Sequence, residues 1–299
     1  MRQDYINSTE GRLSNPGIQM KQLKAIFFIK VGNVIPAIFM LPLFYPPMLF
    51  FLARGYFGKQ LRRIMYVSLG VSAGNIALAL NLNNSVNRNE YSDDYKISVN
   101  HVESFAPHLL GNATLFGIGV WALLTASRGH PNLGYTSIQQ AIAAAGYRRS
   151  VHNTALFLFI TLFTGYIIGV NGGGLASRTF PKLQQGYFPR MDKDYSVGLN
   201  FYYNKALTHF NHRTLALFFI SASLLLGIRG LRAPLPQFAQ LGAGLIIATV
   251  LLQFYTGMTH VNKSVPWENG SRHAGTALLI MAAFLITMHG LRRPTTPHL

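Results

Sequence analysis

The stretch NKALTHFNHRTLALFF, residues 204–219, sets His209, His212 and Arg213 at the start of a segment apolar enough to cross a membrane. Every polar group taken into lipid must find an internal partner, so ionisable side chains at such a place point to a binding role. Histidine recurs in similar positions: His108 and His273 stand near the start of other apolar segments, and His260 ends one. If successive segments alternate in direction, these imidazoles share one layer near one face. Neutral imidazole is a common axial ligand of haem iron, and two facing helices with one histidine each hold a b-type haem inside a bundle. His212 and His273, on the helices third from the C-terminus and last, suit that pair. Arg213 is then placed to meet a propionate or the membrane interface, since guanidinium binds carboxylate through two hydrogen bonds. The plainer reading of any one membrane histidine is a bond to a neighbouring helix or a side chain reaching water; a layer of them favours a cofactor.

The elements that must carry these residues follow from composition. The chain has 299 residues, 49% hydrophobic and only 12% charged, with mean hydropathy +0.24; soluble domains are about a quarter charged. A bilayer needs about 20 apolar residues per helix. Runs of that kind lie at 25–53, 64–82, 105–126, 151–171, 206–228, 237–258 and 274–290, which predicts an all-α integral membrane protein of about seven transmembrane helices. Pro46-Pro47 predicts a kink or early exit in the first. Residues 1–20 are polar and read as neither a signal nor a transit peptide.

Other chemistries are poorly served. Cysteine is absent, which removes disulfides and thiolate sites, so metal chemistry falls to histidine. No Walker loop, H-E-x-x-H or G-x-S-x-G occurs. The glycine-rich GVNGGGLASRTFP, 169–181, closes a membrane helix and reads as close packing followed by a turn. The net charge of +17 is spread over short loops and does not gather on a nucleic-acid face. Basic loops at 54–63, 127–150 and 229–236 and the basic tail at 291–299 contain no acid, whereas 83–104 carries Glu90, Asp93, Asp94 and Glu103. The positive-inside rule then predicts the N-terminus outside and the C-terminus inside.

Three segments in order resemble the heme A synthase family, membrane enzymes that oxidise the methyl group of heme O to a formyl group for cytochrome c oxidase. GYIIGVNGGGLASRTFPKL (165–183) is similar to the family's helix end and N-T-F-P. NFYYNKALTHFNHRTLA (200–216) is similar to its Q-F-x-H-R helix, with His209 at the glutamine. LLQFYTGMTHVNKSVPWENGSRHAG (251–275) is similar to the Q-x-x-L-G helix, the V-P turn and the L-H-Q ligand helix. The resemblance implies that His212 and His273 are the axial ligands of one haem b, with Arg213 near its propionates. The N-terminal half departs: the family's E-x-x-H-R falls on Ala25, Phe28 and Ile29, with Asn33 and Ser104 where two further arginines belong, while His108 is kept. His108 reads as a relic haem ligand or a helix contact.

The family's eight helices form two four-helix bundles. The resemblance therefore implies a polar segment at 1–24, a degenerate bundle of three helices at 25–127 with the first helix missing, a connection at 128–150 containing a surface helix, TSIQQAIAAAGY, and a complete C-terminal four-helix bundle at 151–299. With the acid and one histidine absent, the expected function is that of a non-catalytic relative, a pseudoenzyme. It would serve in the bilayer of the mitochondrial inner membrane as an accessory subunit or assembly factor of a respiratory complex, cytochrome c oxidase foremost. The N-terminus would lie in the intermembrane space and the C-terminus in the matrix; a bacterial plasma membrane is the alternative. The competing expectation is a divergent, active heme A synthase aided by a partner chain.

Overall fold

The computed structural model describes residues 3, 7, 19–87, 99–128, 135–175, 177, 179–180, 186–262 and 267–292. Among the described residues the regular elements are helices: α1 Met20–Ala53, α2 Lys59–Asn87, α3 Val99–Arg128, α4 Ile138–Asn171, α5 Val197–Tyr203, α6 Lys205–Arg232, α7 Gln237–Asn262 and α8 Trp267–Gly290, with a 3-10 turn at Gly173–Leu175. Six of them, α2 to α4 and α6 to α8, are long and apolar enough to cross a membrane, and Pro42–Ala53 in α1 is a shorter apolar stretch. This is an all-α integral membrane protein of about seven helices. It divides into two compact units, one with α1 and the first turns of α2, the other with the rest of α2 and everything from α3 onward.

In the first unit, α1 makes no early exit at Pro46-Pro47, one of the two outcomes expected there. It runs on to Ala53 and ends where Gly55 takes φ 71°. There Tyr56 N–H donates to Phe51 O at 3.0 Å and Gly55 N–H to Leu52 O at 3.1 Å. Those two bonds are the paired closure that a left-handed glycine allows at a helix C-terminus, so the stop signal is the glycine and not the prolines.

In the second unit, the surface helix expected near 136–147 and the span expected at 151–171 are one helix of 34 residues. Ser137 caps its start, accepting from Gln140 N–H at 3.1 Å, while Gln140 Oε1 accepts from Thr136 N–H at 2.8 Å, a reciprocal cap. Nothing breaks the helix afterwards, because Ala144, Tyr147, Val151, Leu158 and Leu162 keep one buried face throughout. Small alanines had hidden that continuity in the sequence.

Helices α4, α6, α7 and α8 close a four-membered ring in which each packs on the next and α8 returns to α4. The core is Tyr147, Leu158, Phe219, Leu226, Ile246, Val250, Ile280 and Phe284 with their neighbours. Helix α3 also packs here, leaning on α4 and α8. Its Gly117 lets Met281 approach, a Cβ there falling 3.0 Å from the sulfur, and its Trp121 meets the His289 ring edge-on at 5.4 Å. One end of the ring is tied by Arg148, whose Nε donates to Leu291 O at 2.7 Å and whose Nη2 donates to Tyr135 Oη at 2.8 Å. A cation there satisfies a carbonyl at the C-terminus of α8.

Backbones approach closely between α7 and α8, where a Cβ on Gly242 would fall 2.8 Å from both N and Cα of Thr287. Lipid-embedded helices associate through such small-residue contacts, and backbone cannot swing aside as a side chain does. Gly242→Val is therefore expected to destabilise the bundle by about 3 kcal/mol, seen as a fall in Tm of roughly 6–10 °C in detergent. Gly244→Val, whose nearest neighbour is Leu231 Cδ2 at 3.8 Å, should leave Tm nearly unchanged.

Candidate functional site

The C-terminal ends of α4 and α7 and the N-terminal ends of α6 and α8 meet at one end of the bundle around a cavity of about 520 Å³, within the ~300–1,000 Å³ usual for small-molecule sites. Its wall is apolar over Leu158, Leu162, Phe219, Ile220, Phe254 and Ile280, and polar at His209, His212, Arg213, Gln253, His260 and His273. No carboxylate is among the described residues lining it. Nor do three or more His, Asp or Glu side chains among the described residues group as ligands for a bare metal ion.

Two of the imidazoles sit in matching cradles. His212 of α6 leans on Gly165 of α4, where a Cβ would fall 2.9 Å from its Cε1. Its Nδ1 lies 3.1 Å from Thr164 Oγ1. That hydroxyl gives its own proton to Thr161 O at 2.9 Å, so it accepts from Nδ1–H, and the lone pair of the neutral ring is left on Nε2. His273 of α8 leans on Gly257 of α7, a Cβ there falling 3.0 Å from Cε1. Its Nδ1 is 3.3 Å from Thr256 Oγ1, and Thr256 donates to Gln253 O at 3.0 Å. The same logic puts the lone pair of His273 on Nε2. His260 repeats the seat more loosely, with a Gly270 Cβ falling 3.2 Å from its Cε1, and stacks on His273 with centroids 6.3 Å apart and planes 11° from parallel.

Arg213 spends its donors on the protein. Its Nε donates to His209 Nε2 at 3.0 Å, Nη1 to Thr179 O at 2.7 Å and Nη2 to Ser177 O at 3.2 Å. The guanidinium thus ties the segment after α4 onto α6, and Phe180 in that segment lines the cavity. His209, only 3% exposed, is the inner partner of this clamp. Behind it, Asn171 Nδ2 donates to Tyr202 O at 2.8 Å and to Thr208 Oγ1 at 3.1 Å. Asn200, 1% exposed, gathers the connection before α6 by donating to the carbonyls of Asp192, Tyr195 and Ser196.

The histidine layer read from the sequence therefore holds four members around one cavity: His209, His212, His260 and His273. His108 is not with them. Its α3 neighbours Phe105 and Leu109 line the cavity, but His108 turns to α2, with Nδ1 3.2 Å from Asn75 O and Nε2 3.3 Å from Asn112 Nδ2. Asn75 Nδ2 closes the loop onto Asn112 Oδ1 at 2.7 Å. Both ring nitrogens are engaged, which makes this a helix-to-helix contact. Ser104, at the place of a family arginine, accepts from Asn81 Nδ2 at 3.0 Å. The side chains of Ala25, Phe28, Ile29 and Asn33 lie outside the described ones. Sequence reasoning passed over Thr164, Gly165, Gln253, Thr256 and Gly257; the available signal was the repeat TLFTG (161–165) and QFYTG (253–257).

A multi-pass helical membrane protein with paired, tautomer-fixed histidines in a bundle cavity is the class these observations define. The chain belongs to the COX15-CtaA family of cytochrome oxidase assembly proteins, whose pattern matches residues 1–285. Among its relatives, the heme A synthase COX15 of Homo sapiens is 24% identical over 297 residues, covering 97% of this chain and 70% of the human protein. The heme A synthase COX15 of Arabidopsis thaliana is 24% identical over 307 residues, covering 97% of this chain and 63% of its own length. The heme A synthase of Bradyrhizobium sp. (strain ORS 278) is 23% identical over 287 residues, covering 93% and 73%. No solved structure matches the chain.

Proposed function

We propose that this chain works in heme A formation, as the name of its relatives states, and that it holds one haem b between His212 and His273. The observation that carries the haem site is the pair of cradles. Each ring has a glycine under its edge, where any Cβ would crowd it, and a threonine oxygen on Nδ1 that keeps the Nε2 lone pair for iron. The apolar wall suits a porphyrin face. Haem iron bound this way supplies one-electron transfer. With no carboxylate among the described lining residues, propionate charge falls to Arg213, which gives three of its five N–H donors to the protein and keeps two.

The membrane is read as the mitochondrial inner membrane, N-terminus in the intermembrane space and C-terminus in the matrix, on the basic loops and on the resemblance. The bacterial relatives keep a plasma membrane as the alternative. A second reading, a haem b-binding accessory subunit or assembly factor of cytochrome c oxidase without catalysis, is favoured by one observation. His108, the retained histidine of the N-terminal half, has both nitrogens bound within the protein, and Ala25, Phe28 and Ile29 replace the family's acid, histidine and arginine. Purified protein given heme O and a reductant decides between them. Heme A in the extracted pigment supports synthesis. Haem b retained with no heme A formed, even with the native membrane partners present, supports the accessory role.

A further inference from the structure

The two cradles match at threonine and glycine but differ one turn earlier. On α4 that place is Thr161, which carries no amide and turns its hydroxyl back to Phe157 O at 2.9 Å. On α7 it is Gln253, whose Nε2 lies 3.3 Å from His273 Nε2. The amide turns Nε2 to the imidazole and Oε1 to Thr276 Oγ1 on α8, a hydroxyl that also donates to His273 O at 2.9 Å. The amide NH2 group thus donates to the same lone pair that iron would take.

We infer that Gln253 makes His273 the exchangeable ligand of the pair and leaves His212 the anchor; this rests on the haem reading of the cavity. Detaching His273 from iron restores a hydrogen bond to Gln253, whereas Thr161 offers a detached His212 no amide donor. Exchange requires the ring to swing off iron toward the Gln253 amide, with Thr256 Oγ1 beside its Nδ1 as the pivot. The site is then asymmetric by construction, with one ligand always presented and the other shared between iron and an amide. Gln253 and Thr276 act as positioning residues, through His273.

Carbon monoxide titration of the reduced, haem-loaded protein tests this, since the gas binds only where an axial ligand leaves. The wild type should bind carbon monoxide. Gln253→Leu, which removes the bond that stabilises the detached ring, should lower affinity per bound haem by about 2- to 10-fold, the worth of one net hydrogen bond. Thr276→Val, which removes the hydroxyl beside the amide and beside Thr256, should lower it in the same direction by less. A wild type that binds haem but no carbon monoxide overturns the inference, as does unchanged or raised affinity in both variants. A wild type that takes up no haem overturns the haem reading itself, a separate result.

Discussion

His212→Ala is expected to abolish the b-type spectrum, with bound haem per chain falling roughly tenfold or more, since loss of a ligand exceeds the 10–100-fold cost of losing only its supporting bond. His273→Ala should retain more pigment than His212→Ala, because the anchor remains, and should shift it to a form that binds carbon monoxide readily. His108→Ala should leave spectrum and stoichiometry intact. Its ring bridges Asn75 and Asn112 in a half-buried seam, and the expected cost is stability, about 0.5–1.5 kcal/mol for a typical hydrogen bond lost. Absorbance and haem content of the three purified variants check all of this. A normal spectrum from His212→Ala would remove the ligand assignment.

The second large effect is expected where no ligand is touched. Gly165→Val and Gly257→Val each place a branched carbon where Cε1 of His212 or His273 lies, 2.9 Å and 3.0 Å from the position of the new Cβ. The ring must tilt away, and with it the Nδ1 bond to threonine. Haem content should fall about 10- to 100-fold while circular dichroism still reports a helical, folded chain. Gly146→Val, on α4 with open space at its Cβ, is the matching control and should bind like the parent. Equal haem content in all three variants would show that the cradles do not hold the rings for a ligand.

Much of this site was legible in the sequence because helices of alternating direction put chain position and depth in register. His209, His212, His260 and His273 come from the ends of three spans, and all four reach one cavity. Rotation about the helix axis was not legible, and it decides which way a residue at the right depth points. In α3, Phe105 and Leu109 line the cavity while His108 between them faces α2; a span surrounded by lipid and protein alike has apolar residues on every face, so no polar stripe reports the rotation. The threonine and glycine of each cradle were hidden for a related reason, since both residues are common wherever membrane helices pack closely.

Helix boundaries show the same division. The six long spans follow from hydropathy alone, but the start of α4 at Ile138 depends on the Ser137 and Gln140 cap. The alanine-rich turns that follow bury small surfaces and carry little hydropathy signal. Likewise the end of α1 is written in Gly55 and its two closing bonds, a local signal weaker to the eye than Pro46-Pro47. The clamp of Arg213 on Ser177 and Thr179 joins residues 34 and 36 positions apart in sequence, a distance at which neither spacing nor pattern pairs them.

The central claim is that the cavity holds one haem b between His212 and His273. It is tested most directly by a pyridine-haem count with a reduced-minus-oxidised spectrum on the purified native protein. One haem b per chain with a six-coordinate, low-spin spectrum is the predicted result. A protein that is folded and pure yet carries no haem, and gains none when haem is added, would contradict it.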